Sequence, residues 1–165
     1  MQINQTQRAL AISLSSRGFG YAVLEGNNRL VDYGNKGYYQ RFKNVWLLAT
    51  AERIVKRNAP DVLVLQDITA KDKNRSDRVK ELHRQLIALA KKQGIKMVKV
   101  SGKRVRLSLL NNEQATKHEI ALHLATLFPD ELGSRVPPKR QAWMNVHPRM
   151  DTFEAVGLVT AFSAK

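Results

Sequence analysis

Asp151 and Glu154 stand three residues apart in a segment of helical spacing, so their carboxylates share one helix face. Taken alone, the pair reads first as a solvated first turn favoured by the helix dipole. Two further places sit where strand ends would lie. Ser13 comes late in an apolar run, and Gln66-Asp67 closes another. Phosphate binding is the other available chemistry. From Lys71 to Arg106 there are 13 basic residues against three acids, Asp72, Asp77 and Glu81. Lys71, Lys73, Arg75 and Arg78 fall in a low-complexity stretch, 71–78, that reads as a mobile basic loop running into a helix start. Lys103, Arg104 and Arg106 crowd another helix start, where free backbone amides also favour phosphate. Arg135, Lys139 and Arg140 surround Pro137-Pro138, with Trp143 close by. Lys91 and Lys92 read as a solvated helix face, whereas the local excess in the loops points to phosphate contacts.

The whole chain has the same bias. Lys and Arg number 28 against 14 Asp and Glu, a net charge of +14. Such an excess repels itself on folding and is usually offset by a polyanion, with nucleic acid first among the candidates. No recognition-helix signature or paired stacking aromatics stand out, so backbone contact and shape selection are expected rather than sequence reading. The chain has no cysteine, which excludes disulfides and thiolate zinc sites and fits a cytoplasmic setting. Met1–Arg8 is polar, without the apolar core of a secretory signal, and no apolar run approaches a membrane span.

Positioning these residues requires a sheet. Ala9 to Ser15 suits a buried central strand, Arg17 to Tyr21 a tight turn, and Tyr21 to Glu25 a second strand. Gly26-Asn27-Asn28 signals a hairpin into a third strand, Arg29 to Tyr33. Helical spacing then runs from about Asn44 to Asn58 and is closed by Pro60. Asp61 to Gln66 and Ile95 to Val100 read as parallel strands flanking a helix from about Ser76 to Gln93. Ser101 and Asn112 are the expected N-caps of helices over 102–110 and 113–128. Pro129 to Trp143 reads as a loop, and Pro148 as the first turn of a last helix ending near Phe162. The order predicts one α/β domain over 1–165, with a mixed five-stranded sheet (three antiparallel strands, then two parallel) and helices on both faces.

Read in order, these segments resemble the RuvC-type Holliday-junction resolvases, of ribonuclease-H-like fold. Ala9-Leu-Ala-Ile-Ser13 followed by Gly20-Tyr21 is similar to that family's first strand, which ends in an acid, and its turn. Asp61 to Asp67 is similar to the strand ending in a catalytic Glu. Asn112 to Lys117 is similar to the segment with a Lys opening a late helix, and Asp151 to Leu158 to the last helix. The resemblance covers nearly the full chain and places the catalytic positions at Ser13, Gln66, Asp151 and Glu154. In the family, acids at these places hold two divalent metals, which implies magnesium or manganese if the site is active and no cofactor otherwise. Here Ser13 and Gln66 are neutral, leaving Asp151 and Glu154 as metal ligands. Asp67 points to the opposite face unless the strand twists, and His147 marks the loop-to-helix junction rather than adding a ligand. Lys117 joins the basic residues expected on nucleic acid. The sequence therefore predicts a RuvC-like protein that binds branched or structured DNA or RNA, with nuclease activity impaired or lost. The alternatives are an active metal-dependent endonuclease and a basic structural subunit of a nucleoprotein assembly. The resemblance also implies a homodimer.

Overall fold

Alternation along β1 (Arg8–Ser15) divides the molecule into two cores. Leu10, Ile12 and Leu14 point into one, while Ala9 and Ala11 point into the other. A strand buried on both faces reads as a continuous apolar run, which is why this segment lacks a polar stripe. The computed structural model describes residues 7–26, 28–37, 43–68 and 74–164. The expectations for Lys71 and Lys73 lie outside those residues.

β2 (Gly18–Glu25) pairs antiparallel with β1, and β3 (Arg29–Gly37) antiparallel with β2. β4 (Val62–Gln66) runs parallel to β1, and β5 (Lys96–Val100) parallel to β4. The order β3-β2-β1-β4-β5 is the expected mixed sheet. One face carries α1 (Lys43–Asn58) and α2 (Asp77–Lys92), and their Leu47, Ile54, Leu82 and Leu86 pack on Leu10, Ile12 and Leu65. The other carries α3 (Gly102–Leu110), α4 (Lys117–Leu127), α5 (Pro129–Leu132) and α6 (Met150–Ser163). No helix among the described residues is long and apolar enough to cross a membrane.

Several boundaries depart from expectation. Ser101 caps α3 as expected. Asn112, however, is spent on a local turn: its side chain accepts from the Gln114 amide and its carbonyl from the Ala115 amide. The cap of α4 is Thr116, in a reciprocal capping box with Glu119, so that helix opens at Lys117 and not at Glu113. The expected loop after Phe128 begins with the single turn of α5, which buries Leu132. Pro148 lies in the turn that leads into α6, which starts at Met150. β3 continues past Tyr33 to Gly37 because it stays paired with β2 along its whole length.

The seat of α6 decides the rest. Beneath it the sheet offers Ala9, Ala11 and Ala22, all fully buried, and Gly20, the register partner of Ser13. A Cβ on Gly20 would stand 1.8 Å from the Asp151 carbonyl oxygen. The helix backbone thus rests where a side chain would otherwise be, and Gly20 is required by that approach. Gly20→Ala is expected to destabilise the protein by about 3 kcal/mol, the upper end of overpacking costs, as read from denaturant midpoints.

Candidate functional site

Because side chains alternate along strands, Ser13 follows Ala9 and Ala11 on the α6 face, and Gln66 follows Val62 and Val64. The first turns of α6 bring Asp151 and Glu154 over these strand ends. Of the four positions named from the sequence, Ser13, Gln66 and Glu154 line one cleft and Asp151 lines the neighbouring one with Glu154, and Ser13, Gln66 and Asp151 are buried.

Gln66 holds the end of β1. The β1–β4 register closes at Ile12 and Leu65. Beyond it, the Gln66 amide takes over the backbone of Leu14. Its Oε1 accepts from the Leu14 N–H at 3.0 Å, and its Nε2 donates to the Leu14 carbonyl at 3.1 Å. A side-chain amide mimics a backbone peptide here, with one donor and one acceptor in the right places. A glutamate could accept from the amide but would face the carbonyl oxygen with a second acceptor. Nε2 also lies 3.4 Å from Ser13 Oγ, which lies 3.5 Å from Glu154 Oε2, both long contacts at the edge of hydrogen bonding. Under the same strand end, buried His83 of α2 places Nε2 2.9 Å from the Gln66 carbonyl. That acceptor calls for a proton on Nε2. Burial holds the His83 pKa below the ordinary histidine value.

Both carboxylates have cationic partners. Asp151 Oδ1 accepts from Arg17 Nη2 at 2.7 Å, and Oδ2 from Ser15 Oγ at 2.8 Å. Burial raises the Asp151 pKa, opposed by the Ser15 hydrogen bond and the Arg17 charge. Ser15 Oγ in turn accepts from the Arg17 amide, which ties the turn after β1 to α6. Glu154 Oε1 pairs with Lys117 Nζ at 2.8 Å. Arg17, Ser15 and His83 were not singled out from the sequence. Arg17 stood in a turn read only for its glycines, and a contact spanning 134 residues leaves no local signal.

The donor set does not fit the two-metal arrangement that the resemblance implies. Gln66 is engaged by backbone, Ser13 is a short neutral hydroxyl, and both carboxylates already hold side-chain cations. Divalent magnesium requires several anionic or hard oxygen donors converging on one point. Among the described residues, no group of three or more His, Cys, Asp or Glu side chains is arranged to hold a metal ion. Asp67, one residue past the end of β4, lines the same ≈ 270 Å³ cleft as Ser13 and Glu154, and its charge also acts on His83 from α2. His147 is exposed and accepts from the Arg149 amide through Nδ1, serving the turn before α6.

The basic residues expected on phosphate mostly have internal partners. Arg75 Nη1 donates to the Leu14 carbonyl at 2.8 Å, and Arg78 to the Ser16 carbonyl and Asn44 Oδ1. Both guanidinium groups therefore brace the β1 end, and Arg78 belongs to α2 rather than to a loop. Lys103 pairs with Glu113, and Arg106 donates to the Glu113 carbonyl. Arg104 reaches the Ala161 carbonyl at 3.5 Å. Arg135 lies over the Tyr33 ring at 5.3 Å, and Arg140 donates to the Met144 carbonyl. Lys139 is exposed. Around the clefts, Arg17, Arg75, Arg106 and Lys117 form a cationic rim.

The architecture is that of known resolvases of Holliday junctions. Thermus thermophilus RuvC, in a structure with Holliday junction substrate, superposes with a TM-score of 0.66 at 15% identity, over 96% of this chain and 98% of that one. The yeast mitochondrial Holliday junction resolvase gives 0.61 at 15% identity, over 98% and 79%. The fowlpox virus resolvase, in a structure with substrate Holliday junction DNA, gives 0.59 at 10% identity, over 95% and 97%. The ribonuclease-H-like fold is therefore shared with these resolvases. No protein-family model matches the sequence, and no curated protein matches it.

Two outcomes follow from the geometry. Gln66→Glu is expected to cost about 2–3 kcal/mol of folding stability at neutral pH, because a carboxylate then opposes the Leu14 carbonyl. Denaturant unfolding beside Gln66→Met, which loses both bonds without adding charge, checks this: the Glu variant should be the less stable. Stability should also fall as pH drops through the ordinary histidine range, from about pH 7 to about pH 5.5. His83 binds its proton more weakly when folded, so in that window the unfolded chain takes up more protons. His83→Asn should flatten the slope of unfolding free energy against pH.

Proposed function

We propose that this chain binds branched or otherwise structured nucleic acid through its phosphate backbone, and that it does not cleave what it binds. The observation that carries the second half is the pairing of Asp151 with Arg17 and of Glu154 with Lys117, beside a Gln66 amide committed to Leu14. Side-chain cations stand against the carboxylates that metal ions would need. The first half is supported by the net charge of +14, the cationic rim of the clefts, and the fold shared with resolvases seen on Holliday junction DNA.

Contact runs through positive charge at the mouth of the clefts. Arg17, Arg75, Arg106 and Lys117 all hold internal acceptors, so they are pre-positioned rather than waving. A phosphate can share such donors, since a guanidinium carries five N–H groups and an ammonium three. Phosphates enter with displacement of counterions, and binding weakens as salt rises. Branch geometry is selected by where those cations lie, not by base edges.

The test pairs binding with cleavage on a labelled four-way DNA junction. Affinity should be unchanged by chelation of divalent metal and should fall with salt at a log–log slope of about −4 or steeper. No cut strands should appear with magnesium or manganese. Cleavage by the unaltered protein that disappears in Asp151→Asn would show an active endonuclease instead. Failure to bind any junction, duplex or structured RNA would point to a structural subunit of a larger assembly.

A further inference from the structure

Trp143 is 83% exposed, the most exposed of the large apolar side chains among the described residues. A large apolar ring left in water forgoes the stabilisation of burial, so its position calls for an explanation. It stands in an ordered turn: the Met144 amide donates to the Gln141 carbonyl at 3.0 Å, and Arg140 Nη1 donates to the Met144 carbonyl at 3.0 Å. The indole is thus presented from a braced backbone.

The surrounding loop is strongly basic. Between Glu131 and Asp151 there is no acid, while Arg135, Lys139, Arg140 and Arg149 are present. The loop also borders the site. Val146, three residues after Trp143, lines the cleft shared by Asp151, Glu154 and Lys117. Lys139 lies close enough to Glu119, in the first turn of α4, for its charge to act on that carboxylate.

We propose that Trp143 stacks on an unpaired base of the bound nucleic acid, at a branch point or in a single-stranded stretch next to the cleft. An apolar protein partner would be a poor match for an indole carried on a loop with four cations and no acid between Glu131 and Asp151, since desolvation of those charges would oppose docking. A nucleic acid supplies both complements, phosphates for the cations and a π-face for the ring. Duplex bases are already stacked on each other, so only an unpaired base presents a free face. The inference rests on the nucleic-acid-binding reading and specifies where a base, rather than a phosphate, is recognised.

Tryptophan fluorescence gives a direct readout. The chain has two tryptophans, Trp46 and Trp143, so Trp46→Phe leaves the second as sole reporter. Titration of that variant with a four-way junction or single-stranded DNA should quench Trp143 emission by half or more. Perfect duplex should quench it less at equal occupancy. In the natural background, Trp143→Leu should weaken junction binding about tenfold, within the range of one base–aromatic stack. Trp143→Tyr should retain most of the affinity, and neither variant should change the slope against salt. Salt-dependent binding without quenching, or equal affinity in Trp143→Leu, overturns the stacking contact while leaving phosphate binding intact. Absence of binding to every nucleic acid by the unaltered protein overturns both.

Discussion

Helix α6 lies on the sheet because the β1–β2 face beneath it is nearly bare. Ala9, Ala11, Ala22 and Gly20 leave room for a helix backbone, and at Gly20 the Asp151 carbonyl occupies the space of a side chain. That approach places the first turns of α6 over the ends of β1 and β4. Everything at the site is downstream of it. Asp151 meets Ser15 and Arg17 from the turn after β1, and Glu154 meets Lys117 from α4. On the opposite face, larger side chains fill the gap to α1 and α2. The two faces of one strand thus do different work: one builds bulk, the other permits contact.

The strand ends are stitched by polar groups where the backbone ladder stops. Gln66 continues the β1–β4 pairing with a side chain, Arg75 adds a second donor to the Leu14 carbonyl, and His83 secures the Gln66 carbonyl from below. A buried carbonyl and amide left without partners would each be costly, so these contacts are structural whatever else the site does. This accounts for the neutral residues at the ends of β1 and β4. Gln66 is suited to its place by its amide, and Ser13 by its small size under α6. Asp151 and Glu154 stand beside them, matched by Arg17 from the turn after β1 and by Lys117 from α4.

Much of this was legible in the sequence because it is periodic. The apolar run of β1, the helical spacing of α1 and α2 and the strand–helix alternation after Pro60 all follow from burying one face of each element. Together with the ordered resemblance, they pointed to Ser13, Gln66, Asp151 and Glu154, which the fold sets at neighbouring strand ends and the first turns of α6. Partners were less visible. Arg17 to Asp151, Arg75 to Leu14 and Lys117 to Glu154 join residues far apart in the chain, and no local pattern encodes them. The loop arginines accordingly read only as phosphate contacts, although most have acceptors within the chain. Cap positions were ambiguous for a similar reason: Asn112 and Thr116 are both good N-cap types, and only the reciprocal bond with Glu119 selects the second.

We propose that protein cations, not metal ions, balance Asp151 and Glu154. Manganese binding followed by electron paramagnetic resonance tests it without any nucleic acid or turnover. The unaltered protein should leave manganese free up to about millimolar concentration, as weak surface sites do. Arg17→Met combined with Lys117→Met should gain binding that Asp151→Asn removes. Tight, stoichiometric manganese uptake by the unaltered protein, lost in Asp151→Asn, would show that a metal ion displaces Arg17 and Lys117 as the partner of these carboxylates.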